Sequence, residues 1–227
     1  MGITLLLPTK NEAGGIQKVI GSVAGFVDEV LVVDGHSTDG TPDLARQAGA
    51  RVVMDSGRGK GAGIRLGFKE ASHEIVVIMD ADGSHDPRDI PKLVAPLEAG
   101  EADLVVGSRV KGGSDEQHGD LDNFLRSIGA GIITIALNYR FGVRITDALN
   151  GFRALRRSVG LNLNLCANDF DIEQHMVVQA LRLGFRVGEV ASHESARQWG
   201  KSKLPTFKKA YLFFWRLAWD LLPPFRK

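Results

Sequence analysis

The sequence contains a single cysteine, Cys166, among its 227 residues. One thiol excludes a disulfide framework and a zinc site built from several thiolates, and it suits a protein of a reducing compartment. The chain also lacks a strong net charge, since 28 Lys and Arg stand against 27 Asp and Glu. This balance argues against a nucleic-acid-binding protein that works through a general positive field. Any basic surface must therefore be local.

Long apolar segments are missing as well. No window offers the roughly 18 uninterrupted apolar residues of a helix that spans a membrane. The opening MGITLLLPTKNE has an apolar stretch too short for a signal peptide and no basic flank. With 44% hydrophobic residues, a chain of this length can still bury a sizeable core. These features predict a protein that is soluble or attached peripherally to a membrane.

Residues 3–110 repeat one unit, in which a short apolar run ends in polar residues and leads into a helical pattern. Continuous rather than alternating apolar runs are typical of strands buried on both faces of a parallel sheet. Strands and helices that alternate in this order indicate a right-handed α/β layer fold. The predicted strands are 3–7, 29–33, 51–54, 75–79 and 103–106, and the predicted helices lie near 14–25, 42–49, 60–72 and 89–99.

The pattern changes after Arg109. Residues 111–122 are polar and rich in glycine, which predicts a mobile loop. No internal repeat divides the chain, so residues 1–203 are expected to form one domain, followed by an amphipathic helix within 204–227. The second half is predicted to contain a long apolar helix at about 123–141, a strand or turn near 151–155, a helix near 171–184 and a strand at 186–192.

Ligands of a parallel α/β sheet bind beyond the carboxyl ends of its strands. Asp80 and Asp82 follow one strand two residues apart, so both carboxylates are expected to point to the same side. Mg²⁺ and Mn²⁺ prefer oxygen ligands and commonly share them with substrate phosphates. A plain turn is the alternative, because Asp and Gly are ordinary turn residues. His85 is a further candidate ligand, although a lone histidine is more often a surface group.

The glycine-rich stretch 57–63, GRGKGAG, matches neither common nucleotide-binding motif. Ala62 takes the place of the third glycine in G-x-G-x-x-G, and Lys60 is not followed by Ser or Thr as a P-loop requires. One interpretation is a flexible basic loop in which Lys60 closes over a diphosphate. The other is a plain glycine-rich connection.

Six short motifs, taken in chain order, resemble those of the family 2 inverting glycosyltransferases, and more narrowly the dolichol-phosphate mannose synthases and their relatives that glycosylate polyprenyl phosphates. The resemblance extends from residue 3 to about 203. It implies a GT-A fold, which is a Rossmann-like, mostly parallel sheet flanked by helices, together with a nucleotide-sugar donor and Mg²⁺ or Mn²⁺. The motifs are PTKNE at 8–12, DGHSTDGT at 34–41, DAD at 80–82, GSR at 107–109, GFR at 151–153 and RQWGKSK at 197–203.

The resemblance also implies roles for individual residues. Asp80 and Asp82 match the metal motif. One departure is Ser84, where the mannose synthases commonly have Gln; it weakens the assignment of GDP-mannose and leaves UDP-glucose and UDP-N-acetylglucosamine open. The family's nucleotide contacts fall on Pro8, Asn11, Glu12 and Asp34, and its basic positions around donor and acceptor phosphates fall on Arg109, Arg126, Arg197 and Lys203.

The acceptor decides whether such an enzyme needs a general base. A phosphate acceptor is already anionic and needs none, whereas for a soluble hydroxyl acceptor Asp171 or Glu173 could serve as the base. Alternatively, these two acids only favour the N-terminus of the helix that they begin. Two other classes are less favoured. A nucleotidyltransferase usually opens with a glycine-rich loop where this chain has PTKNE, and a non-catalytic nucleotide-binding module has no need of the DAD pair.

Residues 204–227 hold seven aromatic residues, five basic residues and one acid. Because charges interrupt the apolar run, an amphipathic helix that lies in the membrane interface is favoured over a spanning one. Packing on the core is the alternative. Residues 128–137 are expected to be core, with a further possible role in lining a prenyl groove. The predicted enzyme is peripheral on the cytoplasmic face of the membrane, where it meets its polyprenyl-phosphate acceptor, and it binds no nucleic acid.

Overall fold

A seven-stranded mixed sheet forms the centre of the protein, in a computed structural model that describes residues 1–115, 121–199 and 206–221. Within these ranges the side chains of 121–126, 206–212 and 221 are not described. The strand order is β3-β2-β1-β4-β6-β5-β7, and only the pairs that involve β6 are antiparallel. The strands are β1 (Ile3–Thr9), β2 (Glu29–Asp34), β3 (Arg51–Met54), β4 (Ile75–Ile78), β5 (Leu104–Ser108), β6 (Arg153–Arg156) and β7 (Val187–Ala191).

Helices cover both faces of this sheet. Neighbouring side chains of β1 show why its apolar run is continuous: Leu6 packs into one apolar cluster, and Leu5 and Leu7 pack into the cluster on the opposite face. The predicted α/β fold is confirmed. The helices are α1 (Ile16–Ser22), α2 (Thr41–Gln47), α3 (Lys60–Glu70), α4 (Ile90–Glu98), α5 (Arg109–Gly112), α6 (Leu121–Phe141), α7 (Arg157–Asn162), α8 (Ile172–Arg182) and α9 (Thr206–Leu221).

The stretch predicted to be a mobile loop is partly ordered. Residues 109–112 form the short helix α5, which the Ser108 side chain caps by accepting a hydrogen bond from the Lys111 N–H. Beyond it, the Asp115 N–H donates to the Glu194 carbonyl at 2.8 Å. The prediction was wrong for these residues because it rested on local composition. Composition does not show a side-chain cap or a hydrogen bond to a distant backbone segment. Residues 116–120 lie outside the described part of the chain.

Two further differences concern single elements. Helix α7 was missed altogether, and β6 begins at Arg153, two residues later than predicted. Helix α6 is core on one side only, because Ile133 and Leu137 are buried whereas Ile128, Ile132 and Ile135 are exposed. The expectation that the whole 128–137 segment is core was therefore wrong: the segment is apolar nearly all round, and its sequence does not reveal which side the sheet covers.

The C-terminal helix α9 packs against α6 and α8. Leu217 and Asp220 on its inner side are buried, while Trp215 and Trp219 on its outer side are exposed. The helix predicted within 204–227 is thus present, and it combines a packed face with an open aromatic face. Among the residues that the structure describes, none of the helices has the length and apolar character needed to cross a membrane.

Candidate functional site

The site lies at the carboxyl edge of the sheet, next to the point where the strand order reverses. Strands β2 and β3 extend to one side of β1, whereas β4 pairs with its other side. Ligands of open α/β sheets bind in the crevice at such a switch point. The PTKNE motif begins in the last two residues of β1 and continues beyond it, and the DAD motif follows β4, so the topology brings these two motifs together.

Asp34 ties together the loops that follow β1 and β2. Its buried carboxylate accepts hydrogen bonds from the hydroxyls of Thr9 (3.1 Å) and Ser37 (2.6 Å) and from the Ser37 N–H (2.7 Å). Asn11 has a left-handed backbone with φ of 53°, and its side-chain oxygen accepts from the Thr38 N–H at 2.8 Å. Asp34 and Asn11, two of the predicted nucleotide contacts, therefore also shape the loops that carry them.

Pro8 and Glu12 stand in the same region. Pro8 is the second-last residue of β1, in register with Val33 of β2. The Glu12 N–H donates to the Thr41 hydroxyl at 2.8 Å, and so fixes the loop after β1 to the first residue of α2. All four predicted nucleotide contacts are thus brought to the ends of two adjacent strands.

Lys60 is paired with two acids from different elements. Its Nζ lies 2.6 Å from Asp80 Oδ1 and 2.7 Å from Glu173 Oε1, and little of the side chain is exposed. Burial alone would raise the pKa of Asp80, but the Lys60 charge and the contact with His85 outweigh burial and hold that pKa well below its usual range. Asp80 is therefore ionised at every physiological pH.

The glycines around Lys60 allow close packing of backbone segments. Gly59 has φ of 114°, and a Cβ there would lie 2.5 Å from the Asn168 carbonyl oxygen. At Gly61 a Cβ would lie 2.3 Å from the Ala167 carbonyl oxygen. Helix α3 thus starts directly against the 167–168 backbone. Lys60 is the first residue of this helix, so the structure favours a packed connection over a basic loop that is free to move.

Asp82 is held by a second, separate set of partners. Its Oδ1 accepts from the N–H (3.0 Å) and the hydroxyl (2.7 Å) of Ser84, and its Oδ2 lies 2.8 Å from Arg197 Nη2. Strand β4 ends at Ile78, so Asp80 and Asp82 lie in the turn beyond it. The sequence predicts that strand alternation points both carboxylates to the same side. Instead, the turn and its ion pairs position the two side chains.

Two aromatic groups frame the acidic turn. His85 is 6% exposed, stacks on Phe152 with ring centroids 4.9 Å apart, and has Nε2 3.8 Å from Asp80 Oδ2. Its Nδ1 is buried and has no hydrogen-bond partner within the described residues. Trp199 lies against Gly15 and Gly83, where a Cβ would come within 2.4 Å and 2.3 Å of the indole. Sequence reasoning gave Trp199 no role of its own. The only features that could have pointed to this packing were the two glycines that leave room for the indole ring.

Arg109 belongs to a separate ionic cluster. It donates to both oxygens of Asp147, at 2.7 Å from Nε and 3.0 Å from Nη2, and its Nη1 lies 3.5 Å from Glu194. Nearby, Lys111 Nζ is 2.9 Å from Glu189. Burial raises the pKa of Asp147, but Arg109 and its hydrogen bonds lower it further, so the net pKa is below the usual value. Sequence reasoning found Arg109 and missed its two acids, Asp147 and Glu194, and the neighbouring Glu189.

The remaining predicted residues divide into two groups. Asp171 and Glu173 stand at the start of α8, as the helix-dipole interpretation expected, but both are also ion-paired, Asp171 with Arg216 at 2.9 Å and Glu173 with Lys60. The Arg126 side chain and the whole of Lys203 lie outside the described residues.

Residues 4–160 match the family model Glycosyl transferase family 2. The chain belongs to this family. Glycosyltransferase AglJ of Haloferax volcanii is 37% identical over 187 residues, which make up 81% of this chain and 60% of that protein. The chain thus spans less than two thirds of the length of this relative. An undecaprenyl-phosphate mannosyltransferase of Micrococcus luteus is 33% identical over 220 residues, covering 90% of this chain and 88% of the relative.

The fold agrees with the family. Glucosyl-3-phosphoglycerate synthase from Mycobacterium tuberculosis, solved with Mn²⁺, UDP and glucosyl-3-phosphoglycerate, superposes with a TM-score of 0.78 at 26% identity. The match covers 99% of this chain and 81% of the other. The same enzyme has also been solved with Mg²⁺ and UDP. The predicted family membership and GT-A fold are confirmed.

Proposed function

We propose that this family 2 glycosyltransferase transfers a hexose, with inversion, from a nucleotide sugar to a polyprenyl phosphate on the cytoplasmic face of a membrane. The relative from Micrococcus luteus, which matches this chain over nearly its whole length, is named for undecaprenyl phosphate. The proposal rests on the exposed apolar surface of α6 and α9, because an enzyme with a water-soluble acceptor has no need of such a surface. It is called the α6–α9 surface below.

The α6–α9 surface consists of one exposed stripe on each of two helices that pack together. On α6 the large exposed apolar residues among the described side chains are spaced by four, three and four positions, and therefore lie on one side of the helix. On the described part of α9 the large exposed apolar residues are aromatic, as is typical of helices that rest at the level of lipid headgroups. Contiguous exposed apolar surface of this kind marks a protein or membrane contact. The residues are Ile128, Ile132, Ile135 and Tyr139 on α6 and Phe214, Trp215 and Trp219 on α9.

The ion pairs described above link this surface to the site. Arg216 of α9 contacts Asp171, the residue that precedes α8, and Glu173 in the first turn of α8 contacts Lys60. A prenyl chain that lies along α6 and α9 would bring its phosphate toward this end of α8. This adjacency supports a lipid acceptor.

The ion pairs of Asp171 and Glu173 favour a phosphate nucleophile over a hydroxyl nucleophile. A general base must be free to accept a proton, yet Glu173 and Asp171 are each engaged by a basic side chain. A phosphate oxygen is already anionic, attacks the anomeric carbon without a base, and releases the nucleoside diphosphate. The ion pairs therefore agree with the polyprenyl-phosphate acceptor.

The residues around the DAD turn fit a divalent cation. Asp80 is ionised, and Asp82 follows it two residues later in the same turn. The buried Nδ1 of His85 has no hydrogen-bond partner among the described residues. No cluster of three or more His, Cys, Asp or Glu side chains occurs in the described residues, so the two aspartates would hold Mg²⁺ or Mn²⁺ together with phosphate oxygens and water. A bound cation would stabilise charge on the leaving diphosphate. Arg197 and Lys60 supply further positive charge beside these acids.

A panel assay tests the proposal. The purified chain is incubated with Mg²⁺, one nucleotide sugar at a time (GDP-mannose, UDP-glucose or UDP-N-acetylglucosamine), and either undecaprenyl phosphate in liposomes or 3-phosphoglycerate in solution. Mass spectrometry of the products is expected to show a glycosylated prenyl phosphate with one donor. Transfer to 3-phosphoglycerate alone would overturn the proposal in favour of a soluble acceptor, the type named for the M. tuberculosis structure.

A further inference from the structure

A second cluster of reactive side chains surrounds the only cysteine, on the side of α8 that faces α9. Cys166 is exposed, and its Sγ lies 3.4 Å from Nε2 of His175. The other ring nitrogen, Nδ1, lies 3.2 Å from Asp220 Oδ1. Arg216 donates from Nη1 toward the sulfur at 3.5 Å. The proposed sugar transfer assigns no chemical step to these four residues, although the ion pair of Arg216 with Asp171 also links α9 to the start of α8.

Burial fixes the roles of His175 and Asp220. The two residues are 2% and 0% exposed, so neither can exchange its partner for bulk water. A carboxylate only accepts hydrogen bonds, so Nδ1 carries a ring proton. In the neutral ring Nε2 then presents its lone pair to the Cys166 thiol and N–H. A base within reach of a nucleophile, oriented in turn by a third group, is the arrangement that activates thiols and hydroxyls for attack.

Arg216 adds a positive charge beside the sulfur. Its Nε donates to Asp171 at 2.9 Å, which holds the guanidinium in place. The charged groups that face the thiol are therefore His175 from α8, Arg216 and Asp220 from α9, and Asp171 behind Arg216. A thiol that lies between an acceptor nitrogen and a guanidinium donor is held with its proton toward the base.

We infer that Cys166 is a modification site: a nucleophilic thiol, assembled by the docking of α9, that reacts with soft electrophiles. In the reaction the Sγ proton passes to His175 Nε2, the sulfur forms a bond to the electrophilic carbon, and the leaving group departs with its electron pair. The protonated ring then has donors for both Asp220 and the Asn164 carbonyl oxygen, which lies 3.3 Å from Nε2. Because α9 supplies two of the four groups, the reactivity of Cys166 depends on this helix being in place.

Iodoacetamide is a suitable probe, because one cysteine gives one adduct that intact-mass spectrometry can follow. At neutral pH the folded full chain is expected to be alkylated about tenfold faster than glutathione under the same conditions. Concentrated guanidinium chloride should bring the rate down to that of glutathione. Cys166→Ser should remove the adduct. A folded wild-type chain that reacts no faster than glutathione overturns the inference.

Two variants test the assigned groups. Asp220→Asn and Arg216→Gln should each slow alkylation at neutral pH by at least about threefold, because the first removes the group that orients the base and the second removes a donor to the sulfur. Arg46→Gln, which breaks an exposed ion pair on α2, is the matched control and should leave the rate unchanged. Circular dichroism establishes which variants are folded. If both α9 variants are folded and react like the wild type, the assignment of Asp220 and Arg216 is wrong; if Asp220→Asn unfolds, Arg216→Gln decides alone.

Discussion

The ion pairs of Lys60 lead to a quantitative prediction about stability. Lys60→Met keeps the aliphatic length of the side chain and removes the charge that lies 2.6 Å from Asp80 and 2.7 Å from Glu173. Removing one partner of a buried ion pair typically costs about 3–5 kcal/mol, because the remaining charge is left uncompensated. The Asp80 side chain is 32% exposed, so water can partly solvate it. We therefore expect a loss at the lower end, about 3 kcal/mol.

The assay is urea unfolding at neutral pH, followed by circular dichroism. Arg46→Met is the control, because Arg46 forms an ion pair with Asp43 at 2.8 Å in which both side chains are more than half exposed, at 51% and 78%. An exposed pair contributes about 0–1 kcal/mol. A loss for Lys60→Met no larger than that for Arg46→Met would refute the reasoning.

The pH dependence provides an independent check on Lys60→Met. In the wild type the pKa of Asp80 is lowered, so its contribution to stability is present above the unfolded-state pKa of about 3.9 and is lost as the pH falls through the lower folded-state pKa. Without Lys60 this lowering is largely removed. The gap in unfolding free energy between the wild type and Lys60→Met should therefore narrow below about pH 4, and a gap of constant size would contradict the role given to Asp80.

Three further predictions concern activity and membrane binding. Asp82→Asn should lower turnover about a hundredfold while leaving the fold intact, and EDTA should abolish wild-type transfer; full activity in EDTA would exclude a metal at the DAD turn. Arg197→Lys keeps the charge but loses the planar fork, so kcat/KM should fall about tenfold, and an unchanged kcat/KM would remove Arg197 from the site. Trp215→Ser combined with Trp219→Ser should reduce sedimentation with anionic liposomes and transfer to long prenyl phosphates without unfolding the chain, since both side chains are exposed; sedimentation equal to that of the wild type would refute the membrane role of the α6–α9 surface.

The sequence alone determined the fold class and the edge of the sheet where a ligand site is expected. Continuous apolar runs require burial on both faces, and this local property is visible without any knowledge of strand order. The motifs at the ends of β1, β2 and β4 were therefore recognisable as a candidate ligand site, and their order along the chain identified the family. Asp80, Asp82 and Asp34 all lie where that reasoning placed them.

Only the tertiary structure decided which side chains meet. Lys60, Asp80 and Glu173 come from α3, the turn after β4 and α8, and nothing in their local sequence indicates that Lys60 pairs with both acids. The same holds for the contacts of Cys166 with α8 and α9, and for the exposed side of α6. Periodicity describes how a segment presents its own side chains, whereas long-range contacts depend on strand order and helix docking, which the packing of the whole chain fixes.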